Sequence, residues 1–113
     1  MIRYSSMQIV TLYVTHKNKE EAKKISDYLL SKRLIACTNF FPIRSSYWWK
    51  GNIEEASEIV TLFKTTRENL EKAKEEIIKV HPYETPCILT NELEANESYA
   101  RWIHNEVQPI TNY

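Results

Sequence analysis

The chain has 113 residues, which is enough for one domain with an ordinary hydrophobic core. Fifteen basic residues balance fifteen acidic residues, so the net charge is zero with the three histidines neutral, and a nucleic-acid partner is not expected. No apolar run approaches the roughly 18 residues of a membrane span, so we expect no membrane partner.

The first predicted elements are a strand and an amphipathic helix. Residues 8–15 are rich in β-branched and aromatic side chains, which is typical of a buried central strand. Asn18 can then cap a helix that ends near Arg33, with Glu21 three residues after the cap as in a capping box. Apolar residues at i, i+3 and i+7 give this helix one buried face.

A long β-hairpin is predicted next. Its arms are residues 34–49 and 53–65, and it turns at Lys50-Gly51-Asn52, where Gly51 is the only glycine of the chain. Pro42 cannot donate a hydrogen bond to a neighbouring strand, so the first arm should be an edge strand or contain a bulge.

The tip of this hairpin should project beyond the rest of the domain. An arm of about a dozen residues extends roughly 40 Å, whereas a compact domain of this size has a diameter of about 35 Å. Trp48 and Trp49 lie beside the turn, and an exposed pair of tryptophans is unfavourable unless another surface covers it. We therefore expect an oligomer with both tryptophans in the subunit interface.

Two helices and a short strand complete the chain. Thr65 is predicted to cap the second helix together with Glu68, and His81-Pro82 should end it. Residues 87–91 predict the fourth strand, and Asn96 can cap the last helix. The predicted apolar stripes are Leu70, Ala73, Ile77 and Val80 in the second helix, and Tyr99, Trp102 and Ile103 in the last helix.

The predicted order is therefore β-α-β-β-α-β-α in one α+β domain over residues 1–113, with an ordered core at about 8–107. Two right-handed β-α-β halves joined by the hairpin give a ferredoxin-like sandwich with one extra C-terminal helix. In this topology the second and fourth strands occupy opposite edges of the sheet. Cys37 and Cys87 would then lie far apart, as free thiols in a cytoplasmic protein.

The most unusual polar cluster is His81-Pro82-Tyr83-Glu84-Thr85-Pro86. An imidazole, a phenol and a carboxylate within four residues can form a metal or small-ligand site. The same residues can also serve only to end a helix, with the imidazole bonded to the last carbonyls and the prolines stopping the chain. The spacing is compatible with both interpretations.

Other polar residues have two interpretations each. Glu58 can supply oxygen ligands or belong to a solvated strand face. Lys64 can extend to water or face a cleft as the partner of an anion, and Cys37 can fill the core or bind a metal. Motifs of hydrolases, phosphate-binding loops and paired-cysteine zinc sites do not occur in the sequence, so we expect no catalysis.

Several motifs in order resemble the CutA family of divalent-cation tolerance proteins, from about residue 8 to 107. Each motif alone is weakly specific, whereas the ordered set is highly specific. These motifs are Ala36-Cys37-x-Asn39, Tyr47-x-Trp49-x-Gly51-x-Ile53, Glu58, Lys64-Thr65, His81-Pro82-Tyr83-Glu84-x-Pro86 and Tyr99-x-x-Trp102.

The resemblance implies a homotrimer, similar in architecture to PII signalling proteins, that binds a divalent metal, copper in particular, and has a role in metal tolerance. The copper ligands proposed for bacterial members correspond here to Val14, Val80 and His81, so a metal site would need His81 together with Glu84, Cys37 or another subunit. No organic cofactor is implied. The residues expected to meet in clefts between subunits are Tyr47, Trp49, Glu58, Lys64, His81, Tyr83, Glu84, Tyr99 and Trp102.

Two functions follow as expectations. The first is a non-catalytic, metal-binding trimer. The alternative is a PII-like sensor that binds a small anionic metabolite in the cleft, with Lys64 as its charged partner, and signals to another protein.

Overall fold

The computed structural model describes residues 8–109 of the chain, and the two ends of the predicted 1–113 domain lie outside the described residues. The seven elements follow the predicted order. They are β1 (Gln8–His16), α1 (Lys19–Ser31), β2 (Cys37–Trp49), β3 (Asn52–Thr65), α2 (Arg67–Val80), β4 (Ile88–Glu94) and α3 (Glu97–Glu106).

The four strands form one antiparallel sheet in the order β2-β3-β1-β4. The predicted placement of β2 and β4 at opposite edges is therefore confirmed. Pro42 lies in β2, an edge strand of the sheet, which is the position where a residue without an N–H is tolerated. Cys37 and Cys87 are both free thiols.

The predicted cap of α1 is present, whereas the predicted cap of α2 is wrong. Asn18 Oδ1 accepts the backbone N–H of Glu21 at 2.9 Å. Thr65 is the last residue of β3, and its buried hydroxyl donates to the carbonyl of Leu34 at 2.7 Å. The N-cap of α2 is Thr66, one residue later, because Thr65 remains paired with β1 in the sheet.

Three predicted boundaries also differ from the structure. β2 begins at Cys37 instead of residue 34, α1 ends at Ser31, and β4 continues to Glu94 because it pairs with β1 as far as Gln8. Val80 does not belong to the buried stripe of α2. It is the last residue of the helix, and its side chain is 38% exposed.

The two faces of the sheet are covered differently. Val10, Leu12 and Phe63 face α1 and α2 and form the main core with them. Ile9 points to the opposite face, where α3 packs on it through Ala100 and Ile103. Beyond α3 this second face, hereafter the open face, carries exposed apolar side chains. None of the helices within residues 8–109 is long and apolar enough to cross a membrane.

The hairpin projects as predicted. β1 pairs with β3 only from residue 59 to residue 65, so residues 52–58 pair with β2 alone over roughly 23 Å. The Cα radius of gyration is 15.3 Å and the long axis is 53 Å, compared with about 13 Å for the radius of a compact domain of this length. Trp48 and its cross-strand partner Ile53 are 72% and 64% exposed near the tip.

The hairpin turns through two residues instead of the predicted three. Trp49 pairs with Asn52, so Asn52 is the first residue of β3. Lys50 and Gly51 both have positive φ, at 49° and 83°. Two consecutive left-handed residues form a type I′ turn, which matches the twist of an antiparallel pair.

His16, the last residue of β1, is fully buried. Its Nε2 lies 2.8 Å from Thr61 Oγ1, and its ring stacks on His81 with centroids 5.3 Å apart. Burial is the main cause that lowers the pKa of His16 to about 4, and the neighbouring His81 lowers it further. His16 therefore stays neutral in the folded protein at neutral pH.

The turn gives a prediction about backbone strain. Gly51→Ala should lower the free energy of unfolding by about 1 kcal/mol, because alanine is strained at this positive φ, although an added Cβ would meet nothing within 4 Å. Lys50→Asn should raise the stability slightly, since asparagine tolerates the left-handed region better than lysine. Urea denaturation of both variants checks these opposite signs, and a stable Gly51→Ala protein would contradict the strain argument.

His16 gives a prediction about pH. In the unfolded chain His16 takes up a proton as the pH falls below its ordinary pKa of 6.5. In the folded chain it stays neutral until about pH 4, so the unfolded state binds more protons between these two values. The stability should therefore fall as the pH falls through this window, and His16→Gln should flatten the fall. The midpoint of urea unfolding, measured between pH 4 and 7, gives this pH dependence. The matched control is His104→Gln in α3. Equal pH profiles for the wild type, His16→Gln and His104→Gln would contradict the prediction.

Candidate functional site

A cleft of about 780 Å³ lies on the open face, where the base of the projecting hairpin meets the segment between α2 and β4. This volume is within the range of small-ligand sites. The residues that line it are Tyr13, Thr15, Ile43, Arg44, Ser45, Ser46, Tyr47, Trp49, Glu58, Tyr83, Glu84, Thr85 and Cys87.

Glu58 of β3 is held in this cleft by two short hydrogen bonds. Ser45 Oγ donates to Oε1 at 2.6 Å, and the hydroxyl of Tyr83 donates to Oε2 at 2.6 Å. Burial raises the pKa of Tyr83, and the Glu58 carboxylate raises it further, so the phenol keeps its proton and remains a donor. The two bonds fix the carboxylate and tie the segment after α2 to both arms of the hairpin.

Both ring nitrogens of His81 are already used. Its Nε2 lies 2.8 Å from the carbonyl oxygen of Thr15, which can only accept, and its Nδ1 accepts the backbone N–H of Tyr83 at 3.1 Å. The imidazole is thus the Nε2–H tautomer, with its lone pair occupied. His81 is 7% exposed, and its bond connects the end of α2 to β1 and not to the last carbonyls of the helix.

The single chain does not assemble the predicted metal ligands. Cys37 pairs with Lys64 at the far end of the β2–β3 ladder, Glu84 is exposed, and the lone pair of His81 is occupied. Within the described residues 8–109, no group of three or more His, Cys, Asp or Glu side chains is placed to hold a metal ion. A transition metal needs several such donors, so these residues do not fit a metal within one subunit.

The remaining predicted site residues form a second cluster. Lys64 Nζ lies 3.3 Å from the hydroxyl of Tyr99 and 5.5 Å from the centre of its ring, and the rings of Tyr99 and Trp102 stack with centroids 5.8 Å apart. Lys64 lies six positions after Glu58 along β3, which corresponds to roughly 20 Å. The predicted set therefore divides into a Glu58 cleft and a Lys64 cluster.

The structure adds residues that sequence reasoning did not select. Ser45 and Tyr13 enter the cleft because their strands alternate onto the open face, and His16 stacks under His81. Ser45 lies next but one to Ile43, the residue paired with Glu58 in the ladder, so a correct strand register would have identified it. The sequence contains no comparable signal for Tyr13.

The amino-acid sequence matches the family model described as "CutA1 divalent ion tolerance protein" over residues 10–106. It is 46% identical over 100 residues to the divalent-cation tolerance protein CutA of Thermotoga maritima, covering 88% of this chain and 99% of that protein. It is 39% identical over 98 residues to the protein of the same name from Archaeoglobus fulgidus, covering 86% and 96%.

Solved structures give the same relationship. The crystal structure of CutA1 from Pyrococcus horikoshii superimposes with a TM-score of 0.86 at 37% identity and covers 88% of this chain and 99% of that chain. The structure of the CutA protein from Archaeoglobus fulgidus, which is described as periplasmic, gives a TM-score of 0.85 at 38% identity with the same coverage. The matching family model, the identities and the shared fold together establish that this chain belongs to the CutA1 family of divalent-ion tolerance proteins.

Proposed function

We propose that the chain forms a homotrimer of ferredoxin-like subunits that acts, without catalysis, in the tolerance of or response to divalent metal ions. The observation that carries the trimer is the projecting hairpin, whose aromatic tip has no surface of its own subunit to cover it. Membership of the divalent-ion tolerance family supports the role in metal tolerance.

The open face supports the same assembly. It leaves Phe41 of β2 37% exposed and Leu89 of β4 57% exposed, at the two edges of the sheet. Exposed apolar side chains on one face of a sheet are typical of a surface that a partner covers. A neighbouring subunit packed against these side chains would cover them.

Copper is the metal we propose first, with His81, Glu84 and Cys37 as the residues available to bind it. Since one subunit does not bring these donors together, a complete site requires residues from neighbouring subunits. His81 would also have to release its bond to the backbone of Tyr83 before its lone pair could bind a metal. Metal binding would therefore be coupled to movement of the segment that borders the cleft.

A small anionic ligand in an intersubunit cleft is the second candidate. The PII-like protein CutA from Nostoc has the same fold at a TM-score of 0.82. Lys64 is the positive group available, and it is half-buried beside the ring of Tyr99. The anion would then lie against the Lys64 cluster, at the boundary between two subunits. We also propose a cytoplasmic location, in keeping with the free thiols of Cys37 and Cys87.

The trimer gives a prediction about mass in solution. Wild-type protein should have three times the mass of the chain at micromolar concentration, and Trp48→Asp should shift the population towards the monomer because it places a charge in the interface. Light scattering coupled to size exclusion measures both. The matched control is Ile78→Asp, at a 59% exposed position of α2 outside the hairpin, and a monomeric wild type would overturn the proposal.

The metal proposal gives a prediction about thermal stability. One equivalent of copper(II) should raise the melting temperature of the wild-type trimer, and His81→Ala should abolish the rise, since stabilisation requires binding to the folded form. His104→Ala is the control, because His104 lies on α3 and is not a proposed ligand. Equal copper shifts in the wild type and His81→Ala would remove His81 from the site.

A further inference from the structure

We propose that the Glu58 cleft is a binding site for a small organic cation, in which an ammonium group is attached to an apolar or aromatic body. The inference rests on the proposed non-catalytic binding role and names the class of ligand for this cleft. Neither the family description nor the metal proposal assigns such a ligand.

The carboxylate of Glu58 is oriented by hydrogen bonds and can still accept from a cation. Ser45 and Tyr83 each donate one hydrogen bond, to different oxygens, so each oxygen keeps acceptor capacity. Both donors are neutral groups, so the negative charge is oriented but not cancelled by them. A charge-assisted bond to an ammonium is stronger than a bond between neutral groups.

The cleft contains little positive charge to compete for this carboxylate. Arg44 is the single basic residue among those that line it. Residues of a strand alternate between faces, so the side chain of Arg44 points away from the face that carries Ile43 and Ser45. Its guanidinium lies 3.7 Å from the carboxylate of Glu55, and both side chains are largely exposed. Glu84 adds a second acidic group at the rim.

The walls of the cleft suit the body of such a ligand. Tyr13, Tyr47, Trp49 and Tyr83 come from three separate segments and line the cleft. The ring of Trp49 already has the Nζ of Lys50 over it, 5.5 Å from its centre, which leaves the three tyrosine rings for a ligand. The face of an aromatic ring attracts a cation through its quadrupole and also buries apolar surface. A carboxylate with aromatic walls therefore recognises both parts of an organic ammonium.

A bare metal ion fits the same cleft poorly. Calcium and magnesium require about six oxygen ligands, whereas the carboxylates among the residues that line the cleft are those of Glu58 and the exposed Glu84. A volume of about 780 Å³ is also far larger than a metal ion needs. The geometry thus favours an organic cation over an inorganic one.

Three probes of similar shape and different charge test the proposal on the full-length protein. They are 2-phenylethylammonium, 2-phenylethanol and 3-phenylpropionate, measured by isothermal titration calorimetry at low ionic strength. The ammonium should bind at least about tenfold more tightly than the alcohol, as expected for a charged hydrogen bond, and the carboxylate should bind most weakly.

Two variants that each remove one carboxylate assign this preference to Glu58. Glu58→Gln should reduce the preference for the ammonium over the alcohol to about twofold or less, since the amide keeps the shape and loses the charge. Glu94→Gln, at the exposed end of β4 and outside the cleft, is the matched control and should leave the preference unchanged. Tyr47→Leu, near the hairpin tip, should weaken all three probes because it removes an aromatic wall. Circular dichroism confirms that each variant is folded.

The outcomes separate this inference from the metal proposal. Binding of no probe, equal binding of the ammonium and the carboxylate, or an unchanged preference in Glu58→Gln would overturn the organic-cation site. The copper shift is measured on the same preparations. A copper shift without ammonium binding would leave the metal proposal standing alone, and the reverse result would leave the organic-cation site standing alone.

Discussion

The structure depends on one long antiparallel ladder between β2 and β3. It runs from Cys37 opposite Lys64 to Trp49 opposite Asn52, which is about twice the length over which β3 also pairs with β1. The half near Lys64 belongs to the sheet and its core. The half near the turn has no third strand beside it, so no other strand of the domain covers its side chains. The projection of the hairpin and the cleft at its base both follow from this difference.

A chain of polar contacts connects the ladder to the rest of the fold. The carbonyl of Thr15 accepts from His81, whose ring in turn accepts from the backbone of Tyr83, and the phenol of Tyr83 donates to Glu58. The first bond joins this segment to β1 and the last joins it to β3, so the turn after α2 is held against both β1 and the hairpin. The same contacts occupy the imidazole of His81. A residue that looks like a metal ligand in the sequence is therefore a structural link within one subunit.

The family relationship and the geometry together limit what one subunit can do. Cys37 and Lys64 lie at one end of the ladder, while Glu58 lies at its middle, where Tyr83 donates to it. A site that used all of them would need a second chain. Within one chain, the Glu58 cleft has a fixed negative charge and aromatic walls, which is a recognition surface for a positively charged organic group more than for a bare ion.

The sequence by itself determined the order of elements, the edge position of β2, the projecting hairpin and the family, because hydrophobic periodicity, a proline, a single glycine and ordered motifs are all local signals. The tertiary structure alone decided that Thr65 remains in the sheet, that the lone pair of His81 is occupied, and that Glu58 and Lys64 lie in separate clusters. These features depend on strand register and on contacts between residues far apart in the chain. Local patterns carry no information about such contacts, since register is set by how the whole sheet packs.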